Sequence, residues 1–541
     1  MMKKQNGNDR GFKAVGAVMA VLCLCAAVLL SGCQKKSGAS TGGLDKTNRV
    51  SITVEIFDRG TDGGKSDPTK NEWTKWIKEK VLADENIDVT FVRVPRGDEI
   101  TALNNLMAAG TPPDVCITYS GELIGNYRDL GGLFDMAPYI EQAMPDLKKF
   151  LGPDQALAGR DFIYRNQDKD TGRVTSIPAR RMNTAQRNIF IRKDWLDKLG
   201  LSVPTSTEEY YTVLKAFKEQ DPGKVGKNNV IPFSMSQEVI WGAGNLINAF
   251  IDPALSPKDR WINTVIERNF MLPGYKDGIR FLNRLYNEGL IDHDFPLYKS
   301  EDDMLNLLKS GMIGSICGDW DKIYRESLEI LTNLQKNVPG ALLIPVDPMT
   351  SSDGITHKSA YDAAGVNYFI PASSKNPLAA MRYINWLARF ENYNFLQIGP
   401  EGIVHEVIDG VPKIKAASGL WIQNSAQNID YTIIMNGLDL GDPELTARAL
   451  ANAYPWPAEY ITNAYAMAMT NAKPGPVIPV ALSAAGPVTQ TLVDKGTVLV
   501  TSSITAKPAD FDKVWDAGLK DWLASGAQAV IDERAAKYFE P

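Results

Sequence analysis

The chain has 541 residues, of which 44% are hydrophobic and 23% charged, and it carries a formal net charge of −6 at pH 7. That length accommodates two or three domains with cores of their own, in a composition ordinary for a globular protein. The acidic balance argues against a nucleic-acid surface, which needs a basic stripe. His293, His357 and His405 are too few and too scattered for a histidine-built metal centre.

The chain opens on an export signal. Lys3, Lys4, Arg10 and Lys13 precede an unbroken apolar run from residue 14 to 30, which Leu30-Ser31-Gly32-Cys33 closes. A basic head, an apolar core and small residues at the cut describe a signal peptide over residues 1–32. The apolar length also allows a retained membrane anchor, but such an anchor has no need of a cysteine after Leu-Ser-Gly. The four residues resemble the lipobox of bacterial lipoproteins. That resemblance implies that Cys33 is diacylated, becomes the mature N-terminus and holds the protein on the extracellular face of the cell membrane. Two acyl chains suffice for firm attachment, where one does not.

Cys23 and Cys25 leave with the signal. Cys116 and Cys317 lie in apolar, strand-like runs and read as buried small hydrophobes rather than as a disulfide. Residues 33–48, rich in Lys, Ser, Gly and Thr, read as a flexible tether.

Residues 50–56 then alternate apolar and polar, as a half-buried strand does. Trp73, Trp76, Ile77 and Val81 fall at helical spacing, residues 87–94 alternate again, and Ile100, Leu103, Leu106 and Met107 form a second helical stripe. Gly110-Thr111-Pro112-Pro113 stops that helix before a strand at 115–119. Alternation of strands and helices predicts a sheet with parallel strands.

A hairpin is expected to turn at 169–172 and leave through 174–178. Asn166, Asp168 and Asp170 alternate there as calcium ligands do, but Gly172 comes one place late and no glutamate closes the loop, so a polar hairpin tip is the competing reading. Further on, Thr205 and Glu208 predict a capping box, and strands are expected at 231–235, 313–317, 341–346 and 366–370. Gly289 ends one helix and Asn376-Pro377 begins another.

The segment Ile191-Arg192-Lys193-Asp194-Trp195-Leu196-Asp197-Lys198-Leu199-Gly200-Leu201, followed by Pro204-Thr205-Ser206-Thr207-Glu208-Glu209, is similar to the second-lobe entry of the extracellular solute-binding proteins of carbohydrate ABC importers. Ala109-Gly110-Thr111-Pro112-Pro113-Asp114-Val115, Asn287-Glu288-Gly289-Leu290-Ile291, Pro371-Ala372-Ser373-Ser374-Lys375-Asn376-Pro377 and Gly399-Pro400-Glu401-Gly402 resemble further stretches of the long Gram-positive lipoprotein members, in the same order.

The resemblance implies an α/β, two-lobed periplasmic-binding-protein-like fold with hinge strands and a helical C-terminal region. Residues 49–179 and 366–430 would build the N-terminal lobe, residues 187–359 and 431–541 the C-terminal lobe, and residues 180–186 and 360–365 the hinge crossings. It implies a monomer that captures a sugar or oligosaccharide between its lobes and passes it to ABC permease subunits, without a cofactor and without catalysis.

Sugars offer hydroxyls and flat C–H faces, so a sugar cleft needs aromatic platforms beside Asp, Asn and Arg. Ligands sit where loops leave the carboxyl ends of strands. That rule points to Asp58 and Arg59, to Tyr119 and Ser120, and to Asp319 and Trp320. Gly318-Asp319-Trp320 matches the place where related maltodextrin-binding proteins stack a tryptophan on sugar, although their middle residue is usually proline. Core packing is the competing reading for Trp320 and for Trp241, in its Gly-rich segment. Arg180 and Arg181 lie at the crossing, where they would either grip a carboxylate or form a surface ion pair. Trp421 sits in a polar loop and completes the set. The rival function is a secreted polysaccharide hydrolase or lyase, which needs a pair of acid/base groups. The chain has no His-Glu-x-x-His helix.

Overall fold

The computed structural model describes residues 44–540, leaving out 61–65, 416–418, 423, 424, 426, 427, 479 and 481. Cys33 and the signal lie outside the described residues. The remainder belongs to one compact unit, Gly43–Pro541.

Its strands run in chain order as β1 (Val50–Asp58), β2 (Ile87–Pro95), β3 (Cys116–Thr118), β4 (Ser176–Arg181), β5 (Arg187–Arg192), β6 (Ile231–Ser234), β7 (Ile313–Asp319), β8 (Leu343–Val346), β9 (Lys358–Ser359), β10 (Ala364–Phe369), β11 (His405–Ile408), β12 (Val411–Ile414), β13 (Met435–Asn436) and β14 (Ala472–Lys473). Two four-stranded sheets organise the two lobes, in the orders β13-β4-β10-β3 and β6-β7-β5-β8.

The expected parallel arrangement holds for β1 and β2, which pair parallel from Val50↔Ile87 to Asp58↔Pro95. A parallel bridge, Val54↔Val115, joins that pair to the segment leading into β3. The rest of the first sheet is mixed, because β10 returns from the second lobe and pairs antiparallel with both β3 and β4. In the second sheet β6 and β7 are parallel, whereas β5 is antiparallel to β7 and β8.

The chain passes between sheets three times. It goes from β4 to β5, from β8 back to β10, and from β13 into the helices Pro443–Asn452 and Ala458–Met469. The second of those helices accepts a hydrogen bond at the Ala464 carbonyl from Asn188 Nδ2 of β5, at 2.8 Å. The third passage differs from the sequence-based boundary at 430/431. β13 pairs parallel with β4 of the first sheet, Met435 opposite Arg180, so the first lobe extends past residue 431.

The helical C-terminus packs into the core of the second lobe, where Trp515 and Trp522 join Ile189, Phe233 and Ile316. Asn283 Nδ2 ties it down by donating to the carbonyls of Ser503 and Ile504. Cys116 and Cys317 are both buried and unbridged, as a pair of small hydrophobes. Trp73, Trp195, Trp386 and Trp522 are fully buried, and Trp76 stacks on Phe395 at 4.2 Å between centroids.

Two local expectations shift. The helix Thr207–Gln220 is capped one residue later than the Thr205/Glu208 pattern suggested. Extended Ser206 accepts from Glu209 N, and the Glu209 carboxylate accepts from Thr205 N and Oγ1. The hairpin before β4 keeps its turn but has no paired strand on its leading side, where a 3₁₀ turn at Phe162–Tyr164 leads into it.

Candidate ligand-binding cleft

The ends of β4 and β7 and the helices after β13 enclose a cavity of about 1010 Å3, lined by Arg181, Asp319, Trp320, Tyr361, Tyr454 and Tyr465 among others. Trp320 N donates to the Gln186 carbonyl at 3.1 Å, which locks the residue after β7 onto the first crossing. Its ring meets Tyr465 and Tyr454 edge-on, at centroid distances of 5.2 and 6.1 Å. Only 5% of Trp320 is exposed. One side chain therefore belongs both to the cavity wall and to the second-lobe core.

Below Trp320 lies a closed ionic network. Asp319 is paired with Arg187 Nη2 at 3.2 Å and with Arg325 Nη2 at 2.9 Å. Asp321 accepts from Arg325 Nη2 at 2.6 Å and from Tyr454 Oη at 2.7 Å. Burial alone would raise the Asp319 pKa, but Arg187, Arg325 and Lys322 outweigh it and hold the carboxyl below its ordinary range. Arg325 also titrates higher than usual, because Asp321 and Asp319 more than offset its loss of hydration. Arg187 reaches Trp241 as well, donating to its carbonyl at 2.6 Å with the guanidinium 5.0 Å from the ring. Trp241 thus buttresses the network without lining the cavity.

The crossing arginines separate. Arg180 donates to the Leu151 carbonyl and lies against Phe162, away from the cavity. Arg181 lines the cavity with its guanidinium 4.7 Å from the Tyr361 ring centroid.

The other first-lobe candidates form a separate group. Arg59 grips buried Asp430 through Nε at 2.8 Å and Nη2 at 2.9 Å. Tyr119 stacks beside Phe57, and the Arg96 guanidinium sits 4.5 Å from its ring. Asp58 pairs with Arg93 at 3.2 Å. Ser120 Oγ accepts from Leu123 N and so caps the helix Gly121–Asp129. Trp421 packs edge-on against Trp73 at 4.9 Å in the first lobe. None of these side chains lines the cavity.

At the candidate calcium loop, Asn166 Nδ2 donates to Ser176 Oγ and Asn367 Oδ1. Asp168 Oδ1 accepts from the amides of Asp170 and Thr171. The arrangement is a self-satisfied turn, and among the described residues no three His, Cys, Asp or Glu side chains gather as metal ligands.

Sequence reasoning missed Tyr361, Asp321, Arg325, Tyr454 and Tyr465. Asp321 and Arg325 follow Trp320 within five positions, so the loop after β7 carried a signal that stopping at Trp320 left unused. Tyr361 stands inside the predicted second crossing. Tyr454 and Tyr465 sit among Ala-rich helices whose aromatic spacing looks the same whether a ring faces core or cleft.

A polygalacturonan/rhamnogalacturonan-binding protein, YtcQ of Bacillus subtilis (strain 168), is 26% identical over 308 residues, 56% of this chain and 56% of its own. The lipoprotein LipO of the same organism is 24% identical over 399 residues, 71% of this chain and 73% of its own. The match with YtcQ therefore spans little more than half of that relative's length. Among solved structures, an EF-hand mutant of the substrate-binding protein FusA of an S. pneumoniae ABC transporter, in complex with fructo-nystose, superposes with a TM-score of 0.64 at 17% identity. That match covers 90% of this chain and 98% of the other. These likenesses establish the two-lobed α/β fold. Residues 67–392, more than half of the chain, match the bacterial extracellular solute-binding protein family, and the chain is a member of that family.

Proposed function

We propose that the protein captures a sugar or oligosaccharide between its lobes and delivers it to the permease of an ABC transporter. The carrying observation is the composition of the cavity wall. Trp320, Tyr361, Tyr454 and Tyr465 supply ring faces and edges, while Asn183, Gln186 and Asn436 supply hydrogen-bonding groups. YtcQ, a polygalacturonan/rhamnogalacturonan-binding protein, and FusA, the substrate-binding protein of a fructooligosaccharide ABC transporter, support the same ligand class.

Binding without catalysis is favoured by the state of two of the three acids that line the cavity. A glycoside hydrolase needs one carboxyl kept protonated as general acid, whereas Asp319 is held ionised by its arginines and Asp321 is locked to Arg325. Incubation with an oligosaccharide panel separates the two functions. A binder raises its melting temperature and leaves the glycan intact, whereas a hydrolase or lyase releases products. Closure around a ligand that touches both lobes should also reduce the radius of gyration measured by small-angle scattering. Chain cleavage of the bound glycan would overturn this reading.

The same reading places the protein on the outer face of the cell membrane through lipid at Cys33, with residues 1–32 removed. The Leu30-Ser31-Gly32-Cys33 sequence and the lipoprotein relative support it. Among the described residues no helix is long and apolar enough to cross a membrane. Cys33→Ala is expected to abolish incorporation of labelled fatty acid. Continued acylation of that variant would remove the anchor assignment.

A further inference from the structure

Arg181 stands apart from the other arginines in and around the cleft. Arg187 and Arg325 are committed to Asp319 and Asp321, Arg59 to Asp430, and Arg180 to a backbone carbonyl. Arg181 lines the cavity, yet its Nε is buried without a hydrogen-bond partner. Among the described residues no carboxylate pairs with it. Its backbone is fixed from two sides, by N–H donation to the Ala363 carbonyl at 2.7 Å and by the β4–β13 pairing that sets Arg181 opposite Asn436. Tyr361 supports the guanidinium from one face.

A fixed guanidinium with open donors, partly withdrawn from water, is costly unless an acceptor meets it. Its planar fork matches a carboxylate better than it matches scattered hydroxyls. The charges around it leave room for such a partner. Arg187 and Arg325 balance Asp319 and Asp321, which leaves Arg181 against Asp439. The Asp439 carboxylate already accepts from Gly441 N at 2.8 Å and makes no ion pair among the described residues. In a sugar site it is an acceptor for hydroxyls.

Building on the saccharide reading above, we infer that the ligand carries a carboxylate, as a uronic acid unit does, and that Arg181 receives it in the cavity beside Tyr361. The test is calorimetry with oligogalacturonates and oligomannuronates, each paired with its carboxyl-reduced neutral counterpart. The wild-type protein is expected to bind at least one acidic oligosaccharide about 10- to 150-fold more tightly than the reduced form, the range of a charge-assisted hydrogen bond. Arg181→Gln should erase that preference, whereas Arg180→Gln should keep it. Thermal unfolding of both variants identifies any that fail to fold, and the wild-type comparison of acid with reduced ligand stands without them. Equal affinity for acidic and reduced ligands, or a folded Arg181→Gln variant that keeps the preference, overturns the inference and leaves the saccharide reading in place. Binding of no saccharide, acidic or neutral, overturns both.

Discussion

Replacing Arg165 by alanine is expected to cost about 3–5 kcal/mol of stability, the range for breaking a buried ion pair from one side. Its guanidinium forks onto Asp154, with Nε to Oδ2 at 2.7 Å and Nη2 to Oδ1 at 2.5 Å. The two side chains are 3% and 0% exposed, so the alanine variant strands the Asp154 carboxylate where water barely reaches it. The third donor, Nη1, meets Asp362 at 2.6 Å, but that carboxylate is 32% exposed and is rehydrated when released. Asp362→Ala should therefore cost only about 0–1 kcal/mol. The asymmetry is the informative part, because the same arginine holds both acids. Denaturant unfolding of the two variants measures it. Equal losses, or a loss below about 1 kcal/mol for Arg165→Ala, would mean that water enters around Asp154.

Strands β1, β2, β7 and β10 were legible because alternation or an apolar run dictates which face is buried, whatever the partner strand. β13 was not. Two residues carry no period, and Met435–Asn436 become a strand only because β4 presents an open edge to them. That short pairing carries the first lobe past the expected boundary at 430/431 and puts Asn436 and Asp439 on the cavity wall.

Strand ends were the readable part of the site, since a residue leaving a sheet at its carboxyl end has few places to go. Asp319 and Trp320 came from that rule, and Arg181 from its place at the crossing between lobes. It also produced Ser120, which is consumed by capping a helix, and Asp58 and Arg59, which are consumed by ion pairs. Sequence shows that a polar group is near a cleft, but not whether another chain segment has already satisfied it. Arg180 and Arg181 make the same point. They are adjacent in sequence and point to opposite fates because strand neighbours alternate in direction. Trp421 was misjudged through its polar neighbours, since Trp73, some 350 positions away, supplies the apolar surface it packs on.

Trp320→Ala is expected to lower stability and affinity together, and by separable amounts. With 5% exposure and edge contacts to Tyr465 and Tyr454, the full cost of about 3–5 kcal/mol for an excised core aromatic applies. The cavity-facing part of the ring adds a second loss. An aromatic–sugar contact of ordinary area is worth about 1–3 kcal/mol, or about 5- to 150-fold in affinity. Trp320→Phe, which keeps an edge partner for Tyr465, should recover most of the stability and only part of the affinity. Denaturant unfolding gives the first quantity, and calorimetry on the folded protein with a glycan that the wild type binds gives the second. If Trp320→Ala is strongly destabilised while the folded fraction binds with unchanged affinity, the ring serves the core alone and the ligand is held by the tyrosines and the crossing residues.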